Sequence, residues 1–267
     1  MVLGGLRARL TATLQLLDPF LWISISLFFF PLALTNLILT FQFRKLLSWH
    51  ALQHAWFGRF WAWMGPQVRL GAAPHVDPLV TASAKGVVLD IGPASGQWLY
   101  LYATEHNPAI TRIYGVEPNT EHHPALRRAV KAAGLEDKYR ILDVGAEGLR
   151  AAGVELSSVD TIVTVQVLCS IPDPKRVIRE LYSYLKPGGR WIVYEHVQTP
   201  YVEDFRGWWQ KKISPIWSFC FDGCCITRPT EAFLKDAGSW SKINLKPRDD
   251  DGEYAVLPHT MGYLVKS

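Results

Sequence analysis

Three hydrophobic patterns follow one another along the chain. Residues 19–43 carry no charged side chain, and this run of Leu, Ile, Phe and Trp can cross a hydrocarbon core of ~30 Å at ~1.5 Å per residue. Pro31 in its middle leaves two readings open: one kinked spanning helix, or two short helices that re-enter or lie in the interface. Residues 46–64 then adopt a helical repeat, with Trp49, Leu52, Trp56, Phe60 and Trp63 three or four apart on one face. That stripe either lies at headgroup level or packs on the following domain. Gly65 to Pro78, rich in Gly, Ala and Pro, reads as a linker.

From residue 86 onward short apolar runs alternate with amphipathic stretches. Strands are expected at 87–91, 112–117, 140–144, 160–165 and 190–195, and helices from Gly96 to about His106 and at 121–133, 146–152 and 174–185. Lys186-Pro187-Gly188-Gly189 is expected to stop the last of these helices. A Trp-rich helix after Tyr201, a helix at 231–237 and two late strands at 242–246 and 262–265 complete the pattern, with an acidic turn at 249–252. Such alternation predicts an α/β fold, a doubly wound, mostly parallel seven-stranded sheet behind an N-terminal hydrophobic anchor. The expected organisation is a basic segment (1–18), an anchor (19–43), an amphipathic helix with linker (44–78) and a catalytic domain (79–267) divided at residue 197.

Composition supports a globular domain: 49% of the 267 residues are hydrophobic and 19% charged. Charge is unevenly placed. Residues 1–70 carry +5, with Arg7, Arg9, Arg44, Lys45, Arg59 and Arg69 against Asp18, and the remainder carries −1. A basic leader on a near-neutral domain points to membrane lipid as a partner and away from nucleic acid. Bases flank both ends of the apolar run, so the charge distribution sets no orientation. Oligomeric state is not legible.

The stretch Gly86 to Gly96 reads Gly-Val-Val-Leu-Asp-Ile-Gly-Pro-Ala-Ser-Gly, a strand followed by a glycine-bounded turn. Gly92 and Gly96 are spaced G-x-x-x-G, and Pro93 brings no N–H to a pyrophosphate. Asp90 before the turn suits a cationic group better than a phosphate, and Glu117, at the end of the next strand, suits a pair of ribose hydroxyls. S-adenosylmethionine meets these demands: it carries a diol, an ammonium and a sulfonium, and no phosphate.

In order, Leu-Asp-Ile-Gly-Pro-Ala-Ser-Gly, Gly-Val-Glu-Pro-Asn, Val-Gly-Ala-Glu, Val-Asp-Thr-Ile-Val and Leu-Lys-Pro-Gly-Gly resemble the motifs of class I S-adenosylmethionine-dependent methyltransferases. Val-Leu-Cys-Ser-Ile, Tyr-Glu-His-Val, Trp-Gln with Ile-Ser-Pro-Ile-Trp, and Phe-Asp-Gly-Cys resemble more narrowly the membrane-anchored methyltransferase-like protein 7 (thiol methyltransferase) group. The resemblance implies an enzyme on endoplasmic reticulum or lipid-droplet membrane, its catalytic domain facing the cytosol, that methylates small lipophilic acceptors, thiols first. It implies that Asp90, Gly92 and Gly96 surround the methionine part of the cofactor, that Glu117 holds the ribose, and that Pro118 and Asn119 shape the adenine edge. Gly145, Ala146 and Glu147 would flank the adenine, and Gln166, Val167 and Leu168 would border the methyl group. Ala94 stands where such families usually have glycine, and its methyl narrows the cofactor loop.

Methyl transfer to a thiol needs little base assistance, because an alkyl thiol has a pKa of ~8.5. His196, at the end of the fifth strand, is the first candidate base, and Asp222 in Phe-Asp-Gly-Cys the second. Each has a structural alternative, a hydrogen-bonded loop histidine and a turn acid. The four cysteines show no paired C-x-x-C with a nearby His, so no metal is expected, and Cys169 reads as buried packing. His50 and His54 lack the acid of a metal-binding helix. Two alternatives remain: O- or C-methylation of a lipid, quinone or pathway intermediate, and a non-enzymatic membrane protein with a degenerate fold.

Overall fold

The computed structural model describes the backbone of residues 2–267 and the side chains of residues 9–267; the Arg7 side chain of the basic leader lies outside them. Three helices precede the sheet: α1 (Val2–Leu39), the short α2 (Phe43–Leu46) and α3 (Trp49–Thr81). The sheet has β1 (Gly86–Ile91), β2 (Ile110–Val116), β3 (Tyr139–Leu142), β4 (Val159–Val165), β5 (Leu185–His196), β6 (Trp240–Pro247) and β7 (His259–Lys266). Between strands lie α4 (His123–Ala132), α5 (Pro174–Tyr184), α6 (Phe205–Cys220) and α7 (Thr230–Lys235).

Strand order is β3-β2-β1-β4-β5-β7-β6. Strands β1 to β5 pair in parallel, and β7 runs antiparallel to both β5 and β6. The chain winds outward from β1 in both directions, so the carboxyl ends of β1 and β4 diverge and leave a crevice, where open α/β sheets bind ligands. Alternate residues of each strand serve two cores. Leu89 and Ile91 face Val177, Ile178 and Leu181 of α5, and Val88 faces Leu126 and Val130 of α4.

The helix expected after Gly96 is a single 3-10 turn, Leu99–Tyr102, whose Leu99, Leu101 and Tyr102 are buried. The 146–152 helix likewise shrinks to a 3-10 turn at Ala146–Gly148. Lys186 to Gly189 does not follow a helix stop as loop but opens β5 with a bulge. The expected linker is helical throughout: α3 continues through Pro66, Pro74 and Pro78. Packing overrides composition there, because Ala72, Val76 and Val80 recur four apart and bury themselves against the sheet.

α1 is continuous through Pro31, which excludes the two-helix reading, and the expected boundary at residue 18 falls inside it. It is the one helix among the described residues long and apolar enough to cross a membrane. One seam of it, Pro19, Ile23, Ser26, Ala33 and Leu37, is buried. That seam packs on α3 and α6: Ser26 Oγ donates to the Cys220 carbonyl (2.9 Å), and Trp56 Nε1 donates to the Ser26 carbonyl (2.7 Å). Trp209 Nε1 donates to the Leu16 carbonyl (2.9 Å), and Gln15 Oε1 accepts from the Tyr254 N–H (3.2 Å). The Trp stripe of α3 divides, with Trp56 and Phe60 buried under α1 while Trp49 and Trp63 stay nearly half exposed.

Candidate active site

A cavity of about 1000 Å³ lies over the carboxyl ends of β1, β2 and β4, beneath α1 and α3. Leu14, Asp18 and Trp22 of α1 and His54, Phe57, Trp61 and Met64 of α3 form its roof. The floor is made by the turns after the strands: Gly92 and Ala94, Glu117 to Asn119, Gly145 to Glu147, and Gln166 and Val167. Ten of the thirteen residues expected around the cofactor therefore share one hollow.

The other three, Asp90, Gly96 and Leu168, do not. Asp90 lies on the β1 face that the 3-10 turn and α4 cover, and its carboxylate accepts from the hydroxyls of Tyr102 (3.1 Å) and Tyr139 (2.8 Å). It is sealed in the core, where burial raises its pKa to about 6, and it does not line the cavity. Gly96 (φ 81°) lets the turn pass α4, since a Cβ there would collide with Ala129. Gly92 does line the cavity, at φ 63°, and a Cβ on it would run into Val167.

Glu117 dominates the β2 end. It is 5% exposed, and its Oε2 accepts from Ala94 N–H (2.9 Å) and its Oε1 from Asn119 N–H (2.9 Å). Burial raises its pKa to about 7, an effect the two N–H donors only partly oppose. Asn119 ties this turn to the roof by donating from Nδ2 to the His54 carbonyl (3.2 Å). Ala94 sits at φ 47°, Gln166 at 54° and Asp222 at 49°, so three of the six described left-handed non-glycine residues border this cavity. Backbone strain of that kind concentrates at functional sites.

The β4–β5 end is a cluster of soft and weakly basic groups. Gln166 Nε2 lies 3.2 Å from Nε2 of both His196 and His259. His259 Nδ1 faces Asp251 (3.2 Å), and burial holds this ring's pKa near 4. Cys169, His196 and Cys224 each bring a potential ligand atom within 4.8 Å of the other two. The Cys169 thiol is pushed well above its usual pKa by its contact with Cys224 and by burial. Glu195, fully buried, braces the floor by accepting from the N–H groups of Val167 and Leu168 (3.0 Å to Leu168). Leu168 itself is buried below the floor.

Asp222 reaches the cavity from the opposite side, with Oδ2 3.3 Å from Nδ1 of His54. Burial lifts its carboxyl to about 6 and pushes His54 down to about 4. Sequence reasoning missed His54, His259, Glu195 and the Cys169–His196–Cys224 grouping. The one linear signal was the antiparallel pairing of the late strands, which sets His259 opposite His196. The remaining contacts join segments far apart in sequence.

The cavity wall carries five carboxyl groups (Asp18, Glu117, Glu147, Asp222, Asp251) against Arg248, which is already bound to Asp250. This donor set fits a cationic ligand with hydroxyls to donate, and does not fit a phosphate.

Comparison with known proteins agrees with the geometry. A family model described as "Methyltransferase domain" matches residues 64–237. Human thiol S-methyltransferase TMT1B is 30% identical over 193 residues, covering 72% of this chain and 75% of the relative. Human thiol S-methyltransferase TMT1A is 30% identical over 187 residues, 69% of this chain and 72% of the relative. Among solved structures, an O-methyltransferase family protein from Burkholderia thailandensis superposes with a TM-score of 0.58 at 17% identity, covering 81% of this chain and 60% of the other, a likeness of fold.

Proposed function

The chain belongs to the S-adenosylmethionine-dependent methyltransferases, and from that premise we propose that it methylates small lipophilic thiols at a membrane surface. The observation that carries the reading is the buried Glu117 carboxylate, pinned by Ala94 and Asn119 on the wall of a helix-roofed cavity. Bound there, the cofactor supplies an electrophilic methyl group on a sulfonium.

The chain's residues divide the work along the cavity. Glu117 accepts from the ribose hydroxyls, with Pro118 and Asn119 along one adenine edge and Gly145, Ala146 and Glu147 along the other. Gly92 and Ala94 flank the methionine portion, and Gln166 and Val167 border the methyl group. Asp90 acts at one remove, by fixing Tyr102 and Tyr139 beneath the loop. The acceptor enters from the α1 side, past Leu14 and Trp22, and ends near Cys169, His196 and Cys224. His196 and Asp222 are the groups that can take its proton. The Asp222 carboxyl, lifted to about 6 by burial, suits a thiol and falls far short of an aliphatic alcohol. Beyond that, the helices exclude water and align the reactants.

The packing of α1 bears on the membrane. Its contacts with the domain run from Gln15 to Leu37, roughly 33 Å along the helix, the thickness of a hydrocarbon core. A helix so engaged along one side supports the in-plane reading over a span surrounded by lipid. Its other side exposes Leu10, Leu17, Leu21, Phe28 and Leu32, continued by Phe205, Trp208, Ile216 and Phe219 of α6. That surface suits in-plane insertion into the interface. Purified protein in detergent should methylate a simple alkyl thiol faster than the matched alcohol or amine. Equal or reversed rates would favour O- or C-methylation.

A further inference from the structure

We propose that Cys169, His196 and Cys224 bind a divalent thiophilic cation of the zinc type, with one coordination position open to the cavity. The three residues come from the turn after β4, the end of β5 and the turn after α6, so no linear motif announces them. All three line the cavity, and both cysteines are buried. Their ligand atoms lie within 4.8 Å of one another. Zinc bonds of about 2.3 Å to sulfur set two tetrahedral thiolates about 3.7 Å apart. The two Sγ atoms stand 3.1 Å apart, so they need to part by only about 0.6 Å to reach that tetrahedral spacing.

The histidine is arranged as a ligand would be. The Gln166 amide lies 3.2 Å from Nε2 through its nitrogen, and turned over it would offer Oε1 to the Nε2–H of a ligating imidazole; Nδ1 is buried with no hydrogen-bond partner. A ligating imidazole uses one nitrogen for the metal and fixes the other through an outer partner. The cysteine segments are locked together independently of any ion. Cys225 N–H donates to the Cys169 carbonyl (2.8 Å), and Arg228 Nη1 donates to the carbonyls of Leu168 (2.7 Å) and Ile171 (2.6 Å). Two thiolates neutralise a dication, so the occupied site is formally neutral in a buried setting. Three protein ligands with a fourth position facing a pocket is the pattern of a catalytic cation site.

The last step rests on the thiol reading given above. An acceptor thiol takes the open position: its S–H bond breaks, a sulfur–metal bond forms, and the proton leaves to solvent. A coordinated thiol is deprotonated outright. His196 then holds the cation and is spared the role of base.

The test uses the full chain in detergent, reduced, stripped with a chelator and titrated with Co²⁺. One equivalent should bind, with thiolate-to-cobalt charge transfer in the near ultraviolet and tetrahedral d–d bands in the visible. Cys169→Ser, Cys224→Ser and His196→Ala should each weaken Co²⁺ binding at least about tenfold while leaving cofactor affinity intact, which shows that the variants are folded. Cys220→Ser and Cys225→Ser should bind as the parent does. A simple alkyl thiol should then intensify the charge-transfer band, and the matched alcohol should not. Binding no tighter than that of the Cys169→Ser/Cys224→Ser double variant, or a Cys169–Cys224 disulfide in the protein as isolated, overturns the site. An unchanged spectrum with a thiol that is nonetheless methylated overturns the open position. A shifted spectrum with a thiol that is not methylated leaves the site standing and removes the thiol-methylation reading.

Discussion

Glu117→Gln tests the group proposed to hold the cofactor ribose. The amide keeps the shape of the carboxylate but has one acceptor oxygen, so either Ala94 N–H or Asn119 N–H is left facing an NH₂. Two hydroxyls of the ribose also lose a charged acceptor. Hydrogen bonds to charged groups contribute about 1.5–3 kcal/mol each. The low end for both gives about 3 kcal/mol, on the order of a 100-fold rise in Kd. The pH dependence gives a second reading. The Glu117 carboxyl sits near 7 in the free protein, and hydroxyl donors favour its ionised form. Wild-type affinity should therefore fall as pH drops below 7, by up to about tenfold per unit, and the variant should lose this slope. Calorimetric titration in detergent from pH 8 to 6 measures both, with thermal unfolding recorded alongside. A Kd within threefold of wild type, or a pH slope that survives the substitution, refutes the assignment.

Three further outcomes follow from the geometry. Ala94→Gly relieves a left-handed alanine at φ 47°, a strain of about 1–2 kcal/mol, while the more flexible unfolded chain offsets about 0.4–1 kcal/mol. Stability should rise by between zero and about 1.6 kcal/mol and cofactor affinity should rise; weaker binding would show that the methyl makes a useful contact. Replacing the exposed Leu21 and Phe28 of α1 by Glu should lower partition into liposomes at least about tenfold without lowering the unfolding temperature, because neither residue belongs to the buried seam. Unaltered partition would move the membrane surface elsewhere. As pH falls from 8 to 6.5, wild type should gain about 0.8 kcal/mol of stability relative to Glu117→Gln, because the Glu117 carboxyl takes up its proton near 7 in the folded state and only near 4.5 in the unfolded chain. Comparison with the variant cancels the opposing contribution of His54, His122 and His259, which are held near 4 in the folded protein and charge on unfolding. An identical pH dependence in the two proteins would refute the Glu117 shift.

The sheet was legible because each buried strand is a short apolar run between turn residues, and the glycine turn after β1 lies where that pattern placed it. The 3-10 turn that replaced the expected helix at 97–106 was less legible. Its Leu99, Leu101 and Tyr102 are apolar enough for a helix, but the segment is drawn down onto β1, where the Tyr102 hydroxyl reaches Asp90. That same contact takes Asp90 out of the cavity lining: an acid at a strand end reads as a ligand group, and the fold shows two tyrosines hydrogen-bonded to it. α3 deceived in the opposite direction, since three prolines and adjacent glycines read as linker while Ala72, Val76 and Val80 supply enough burial to hold a helix. The Cys169–His196–Cys224 grouping was invisible for a different reason, because its members are 27 and 28 residues apart and meet only through sheet order.

The N-terminal helices connect the two halves of the functional reading. Without α1 and α3 the strand ends would form an open crevice; with them the crevice becomes a cavity whose roof includes Leu14, Trp22, Phe57 and Met64. The outer side of the same α1 is apolar and exposed. On the proposed reading, membrane attachment and closure of the site fall to a single element, and a lipophilic acceptor leaving the interface would meet the inner side of that helix before it meets water. The hydrogen bonds from Trp56 and Ser26 hold α1 to α3 and α6 and keep that entrance in register with the polar cluster at the ends of β4 and β5. Loosening that seam should slow turnover of apolar acceptors more than it weakens cofactor binding, because Glu117 and its two backbone donors lie outside it.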